Sequence, residues 1–537
     1  MKRFTSLLLI ALVLLSTIAV SCAPPKPVAI EDQIKIDTGL IAGTTIGDIH
    51  VYKGIPFAAP PVGDLRWKPP QPAASWDGVK ECTEFGPAPM GYYSSSFPAY
   101  AAPPSEDCLY LNVWTPAKTT GDKLPVMVWI YGGYLRFGEG SDPKYNGEIL
   151  ARHGVVVVNF NYRVGPLGFL AHPLLSKESE HNSSSNYGLL DQIAALQWVQ
   201  KNIAAFGGDP SRVTIFGESA GATSVLSLMV SPLTKGLFQR AISESPYMGT
   251  PWAPIREDKW GQPVQEKMGE QLAKDLGCDT ASDPIACMRA KSAQEVIDAG
   301  KPPAKIGAPG YNYALCVDGW VIPDLPYNLF QTGNQQNVPL LIGTTSDEWA
   351  LFQMLSKPSV EDYTKYVNQT FGDKAQQVLT MYPAADDTQA KASANRVITL
   401  YTWTCPSKVF AGAMANVKSL AYLYYFTRVP PGGKAFGARH GIEINYVFGN
   451  FVPFMSPLKA EQYFDDTDRA LSEAIIGYWV TFAANGDPNK AGLTQWPAYD
   501  ASTGQYVEFG DTIQVKSGLA NENCELFLNT LNENLSK

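Results

Sequence analysis

Val213-Thr214-Ile215-Phe216-Gly217-Glu218-Ser219-Ala220-Gly221 reads as a short apolar run, a turn, and a serine between two glycines. The apolar run predicts a buried strand, and the small residues from Ala220 onward predict a helix. A G-x-S-x-G set between strand and helix has a mechanical meaning. Its glycines permit the sharp turn that lifts a serine hydroxyl clear of the backbone, at the start of a helix and above a sheet edge. Ser219 is the candidate nucleophile.

Outward from this turn the chain alternates between short apolar runs and helical stretches. Residues 124–131 (LPVMVWIY) and 154–161 (GVVVVNFN) are unbroken apolar runs, as expected of strands buried on both faces. Leu189, Ile193, Leu196 and Ile203 recur at helical spacing. Further strands are expected at 241–242, 339–342 and 420–426, and a closing helix at 470–484, stopped by Asn485-Gly486-Asp487-Pro488. This alternation predicts an α/β fold with a mostly parallel central sheet flanked by helices. The polar, helical segments 247–310 and 356–396 read as insertions over the working edge of that sheet. Residues 36–537 are thus expected to form one domain.

Composition excludes several classes. With 45% hydrophobic and 17% charged residues, the chain is ordered rather than disordered. Its formal net charge of −9 gives no counterion-release advantage on nucleic acid, so no nucleic-acid partner is expected. The N-terminus is a separate matter. Lys2 and Arg3 precede an apolar run, residues 7–20, too short to span a membrane and ending in small residues before Cys22. Residues 1–21 therefore read as a secretory signal peptide. The cysteine at the cleavage point resembles a bacterial lipoprotein signal, which implies lipidation of Cys22 and a membrane-anchored, exported protein of the cell envelope; plain secretion is the alternative. Residues 22–35, rich in proline, read as a tether.

Export makes disulfides admissible. Cys82 with Cys108 and Cys278 with Cys287 are the economical local pairs, Cys405 with Cys524 would pin the C-terminus, and Cys316 is left over.

A serine needs a base to take its proton. Of five histidines, His50 and His153 lie beside strands, and His172 and His181 sit in a polar loop before the nucleophile. His440 lies in Phe436-Gly437-Ala438-Arg439-His440-Gly441-Ile442-Glu443, a glycine-rich loop after the strand at 420–426, and is the candidate base. A carboxylate must orient it, and Ser346-Asp347-Glu348-Trp349 offers Asp347 and Glu348, between which spacing does not choose. Gly133 and Tyr134, in the turn Tyr131-Gly132-Gly133-Tyr134, and Ala220 are the candidate oxyanion donors. Glu218 stands next to the nucleophile with an open part, in catalysis or in binding water. This chemistry requires neither metal nor organic cofactor.

Several motifs in order resemble the type B carboxylesterases, relatives of cholinesterases and neuroligins. They are Glu106-Asp107-Cys108-Leu109-Tyr110-Leu111-Asn112-Val113-Trp114, the stretch from Phe206 to Gly221, the acid loop from Gly343 to Glu348, and the histidine loop from Gly437 to Glu443. The resemblance implies an α/β-hydrolase fold and a serine esterase acting on small-molecule carboxylic esters, with Ser219, Glu348 and His440 as its triad. It selects Glu348 over Asp347 and supports the three disulfides named above. Two departures stand out. Tyr134 occupies the place of a third glycine, which narrows the acyl side, and the stretch from Cys82 to Cys108 holds no tryptophan for a quaternary ammonium group. Tyr92, Tyr93, Phe97 and Tyr100 there would either line an aromatic entrance or pack on the surface. A non-catalytic adhesion module is the rival reading, and it would be expected to lack the nucleophile or its base.

Overall fold

The apolar runs become the middle of one large twisted sheet. The structure is a computed structural model and describes residues 27–101, 103–248, 252–260, 263–303, 310–356 and 358–536. The sheet has eleven strands: β1 (Thr44–Ile46), β2 (Ile49–Pro56), β3 (Tyr110–Thr115), β4 (Leu124–Ile130), β5 (Val156–Phe160), β6 (Gly208–Glu218), β7 (Arg240–Glu244), β8 (Leu340–Thr345), β9 (Ala421–Phe426), β10 (Gln505–Phe509) and β11 (Ile513–Ser517). Their spatial order is β11-β10-β9-β8-β7-β6-β4-β5-β3-β2-β1. From β5 to β10 every pairing is parallel, and the pairs at both margins are antiparallel. Strands β5, β8 and β9 are buried along their whole length, which is why each reads as continuous apolar sequence rather than as alternation.

Helices cover both faces: α1 (Tyr187–Asn202), α2 (Ala220–Val230), α3 (Asp387–Thr399), α4 (Cys405–Ala413), α5 (Asp466–Asn485) and α6 (Asn521–Leu535) among them. The long α5 opens with a reciprocal capping box between Asp465 and Asp468 and stops at Gly486, whose φ of 77° a side chain would resist. The segments expected as insertions are helical, and α3 reaches the sheet edge, where Asn395 donates to Asp347. A strand pair, Trp252–Pro254 with Leu315–Val317, was not legible in their sequence.

The N-terminal boundary lies earlier than Ile36. Val28 and Ile30 hydrogen-bond to Thr120 and Lys118, and Gln33–Ile36 is already a strand paired with Gly39–Ala42. Of the tether expected at 22–35, the later half is therefore fastened to the fold. Cys22 and the signal segment 1–21 lie outside the described residues.

Disulfides join Cys278 to Cys287 and Cys405 to Cys524, while Cys316 is a buried free thiol. The expected Cys82–Cys108 bond does not form: both are buried thiols. Their backbones are held at different places along β2. The Lys53 N–H donates to the Cys82 carbonyl, whereas the Phe57 N–H donates to Leu109, on the order of 10 Å further along. A disulfide needs Cα atoms within about 7 Å. Cys108 instead faces Pro89, Met90 and Arg163 around a small cavity. Peptide mapping after alkylation without reduction is expected to recover the two linked pairs and to find Cys82, Cys108 and Cys316 alkylated once denatured; a linked Cys82–Cys108 peptide would contradict this placement.

Candidate active site

The turn between β6 and α2 is held by backbone contacts. A Cβ on Gly217 would lie 2.5 Å from the Ile130 carbonyl oxygen, and one on Gly221 only 2.0 Å from it. Both glycines are thus required by the close approach of β4, α2 and the turn. Ser219 between them takes φ 59° and ψ −122°, a conformation that costs a residue with a side chain about 1–3 kcal/mol. Two hydrogen bonds hold it there: Ser219 N–H to the Glu244 carbonyl at 2.9 Å, and Thr223 N–H to the Ser219 carbonyl at 2.9 Å. The strain places the side chain at the mouth of α2, beyond the C-terminal ends of the parallel strands.

The acid and histidine loops meet at the same edge. His440 Nδ1 hydrogen-bonds to Glu348 Oε2, and Glu348 Oε1 accepts from the Thr345 N–H at 2.7 Å. Both side chains are buried. Geometry therefore separates the two acids that spacing left open. Asp347 turns away from the imidazole and clamps the loops together: its Oδ2 accepts from Ser346 Oγ (2.7 Å) and the Ala438 N–H (3.1 Å), and its own N–H donates to the Ala438 carbonyl.

The other ring nitrogen is exceptional. Among the described residues His440 Nε2 is buried without a hydrogen bond, yet it lies 3.1 Å from Glu218 Oε1, which also lacks one. The separation suits an ion pair, but the oxygen stands off the line of the ring N–H. No hydrogen bond joins Ser219 Oγ to Nε2 among the described residues. Such bonds are commonly long or misaligned in a free enzyme and tighten once substrate is bound.

Three buried carboxyl groups act on this imidazole, Glu218, Glu348 and Glu443, and a fourth, Glu244, is buried near Glu443 and Glu218. Glu443 accepts from Ser245 Oγ at 2.8 Å, and Glu244 from Trp479 Nε1 at 2.8 Å. Burial, reinforced by Glu348 and Glu218, pushes the Glu443 carboxyl up to about 8. Burial and the nearby Glu443 raise Glu244 well above the usual carboxylate range. For His440, burial works against the cation, but Glu218 and then Glu348 outweigh it and lift the ring to about 9.

The turn after β4 lies against Ser219. A Cβ on Gly132 would sit 2.9 Å from Ser219 Cβ. The N–H groups of Gly133 and Tyr134 donate to nothing among the described residues, and Ala220, first in α2, has no preceding helical turn to bond. Gly133 has φ 112° and Tyr134 φ 57°, so this turn too departs from ordinary backbone. The Tyr134 ring packs near Phe352 (5.5 Å) and Tyr247 (6.0 Å), and with Trp403 these close an aromatic wall beside His440. Trp403 reaches the site because α3 passes into α4 through a π-helical turn, Leu400–Thr404. Of the aromatics in the Cys82–Cys108 segment, Phe97 packs at a tilt against Phe137 and Phe454, while the Tyr92 and Tyr93 hydroxyls donate to backbone carbonyls. Tyr100 is exposed.

Glu244, Glu443, Phe352 and Trp403 were not singled out by the sequence. Glu443 had a signal, three positions from His440 in the same loop; Trp403 had none.

A strand–serine–helix turn opposite a buried histidine–carboxylate pair, on a mostly parallel sheet, is the arrangement of an α/β-hydrolase. Residues 31–527 match the carboxylesterase family, and the chain belongs to it. It is similar to "Fumonisin B1 esterase" of Sphingopyxis macrogoltabida (39% identity, covering 90% of this chain and 87% of the relative). It is also similar to "Para-nitrobenzyl esterase" of Bacillus subtilis (36%; 89% and 95%) and to "Cholinesterase" of Mus musculus (33%; 92% and 86%). The protein is a carboxylic ester hydrolase of the serine esterase type.

The packing at Gly221 has a direct check. Gly221→Ala is expected to destabilise the protein by about 3 kcal/mol or more, since the facing atoms are backbone and cannot move aside. Gly412→Ala, in α4 with its nearest neighbours 3.8 Å away, should be neutral or stabilising by about 0.5–1 kcal/mol. Thermal denaturation of both variants decides it.

Proposed function

We propose that the protein hydrolyses carboxylic esters through an acyl-enzyme, with Ser219 as nucleophile, His440 as general base and acid, and Glu348 as the carboxylate that orients the ring. The observation that supports this most is the buried His440 Nδ1–Glu348 hydrogen bond. A carboxylate on Nδ1 fixes the tautomer that leaves the Nε2 lone pair free, on the side of Ser219 and Glu218. Ser219 Oγ gives its proton to Nε2 as it bonds to the ester carbon. The N–H groups of Gly133, Tyr134 and Ala220 receive the oxyanion. The tetrahedral adduct then expels the alcohol, which takes the proton back from Nε2. Water repeats the sequence on the acyl-enzyme and frees the acid and the serine.

Ser219→Ala is expected to lower p-nitrophenyl acetate turnover by about 10⁴-fold or more with the fold intact, and to abolish labelling by a fluorophosphonate probe. Retained turnover would reject Ser219.

Glu218 acts in this scheme by stabilising the imidazolium. Only the neutral ring can accept a proton, so kcat/KM should rise with pH through the His440 titration, near 9 in the free protein. Glu218→Gln removes the anion facing Nε2. The ring then loses its proton more readily, and the acid limb moves to lower pH. An unmoved limb would remove Glu218 from the electrostatics of the base.

The same reading extends to location. An apolar leader ending at Cys22 supports export and lipid attachment to the cell envelope. Cys22→Ser is expected to shift the protein from the membrane fraction to the soluble fraction; unchanged membrane association argues against the lipid.

A further inference from the structure

Arg136 lies three residues into the turn that carries Gly133, and nothing in the ester-hydrolysis scheme uses it. Its guanidinium is half-buried and makes no ion pair among the described residues. Its surroundings are phenolic: the ring of Tyr134 is 5.7 Å from Cζ, and Tyr313, Tyr92 and Tyr247 are its other ionisable neighbours. One nitrogen, Nη2, donates to Asn312 Oδ1 at 3.0 Å. Nε is buried and has no hydrogen-bond partner among the described residues. Arg163 and Arg66, by contrast, are each matched by a carboxylate through paired hydrogen bonds, to Asp191 and Glu106.

A second orphan stands beside it. Tyr134 Oη is buried with no hydrogen-bond partner among the described residues. Both groups come from the turn whose start lies against Ser219, and the Tyr134 ring lies between Arg136 and the Phe352 face of His440. A phenol O–H and a guanidinium N–H are both donors, and both are kept from bulk water. The chemistry that satisfies the two together is an anionic acceptor, and the group that pairs best with a guanidinium is a carboxylate. The backbone holds the arginine ready: its N–H donates to the Gly133 carbonyl (2.9 Å), and its carbonyl accepts from the Tyr92 N–H (2.9 Å). A cation with no internal counter-charge, parked next to an oxyanion turn, is costly for folding and useful for binding.

We propose that Arg136, with the Tyr134 hydroxyl, binds a free carboxylate on the substrate, so that the preferred esters carry an ionised acid group in addition to the bond that is cut. This rests on Ser219 being the nucleophile. The carboxylate sits either on the acyl part, as in a half-ester of a dicarboxylic acid, or on the alcohol part.

Two matched pairs separate these sources: mono-p-nitrophenyl glutarate against p-nitrophenyl butyrate, and 4-acetoxybenzoate against phenyl acetate. Wild-type protein is expected to prefer the anionic member of one pair in kcat/KM. Arg136→Gln should lower the anionic-to-neutral ratio for that pair by about 10- to 100-fold, the range of a charge-assisted hydrogen bond. Arg136→Lys should restore part of it. Fluorophosphonate titration of Ser219 normalises each variant to folded, active protein, so a folding defect cannot imitate the result. A wild type with no anionic preference in either pair, or an Arg136→Gln variant that loses both members equally, overturns the proposal. Hydrolysis of the neutral esters, and its loss in Ser219→Ala, tests the esterase reading separately.

Discussion

The carbonyl oxygen of Ile130, last residue of β4, is the point against which the site is built. The Cα atoms of Gly217 and Gly221 crowd it so closely that neither position tolerates a methyl group. This contact fixes the β6 turn and the head of α2 relative to β4. Because the chain leaves β4 directly into Tyr131 and Gly132, the same contact sets the distance between the serine and the turn at Gly132 and Gly133. Ser219 pays its conformational strain within a frame of backbone atoms, which cannot relax by changing rotamer.

Electrostatics is the second layer. The imidazole stands between Glu348 on one nitrogen and Glu218 on the other, with Glu443 and Glu244 buried behind. Carboxyl groups packed this closely in low dielectric cannot all ionise, and burial pushes Glu443 and Glu244 toward the neutral acid. Burial pushes the Glu218 carboxyl up as well, while Glu218 and Glu348 together favour the imidazolium between them.

Much of this was legible in the amino-acid order. Parallel strands buried on both faces produce unbroken apolar runs, so 124–131, 154–161 and 420–426 announced themselves, and the glycines around Ser219 announced the turn. The choice between Asp347 and Glu348 was not legible from spacing, because adjacent residues at a strand end differ only in which way they point. Asp347 spends its carboxylate on the Ala438 N–H and Ser346, which leaves Glu348 for the ring. The π turn that brings Trp403 to His440 has no local signature. The unsupported Cys82–Cys108 pair shows the limit of economy arguments, since nearness in sequence did not become nearness along β2. The margins were also hidden: the hairpin of β10 and β11 is half exposed and lacks the long apolar runs of the centre.

The bond between Cys405 and Cys524 encloses β9, the His440 loop, α5 and the β10–β11 hairpin in one covalent ring. A single proteolytic cut anywhere in that ring leaves both fragments fastened, and the imidazole stays joined to the body of the protein through the uncut side. Damage of that kind would show on a gel only after reduction, and one nick does not release the fragment that carries the imidazole.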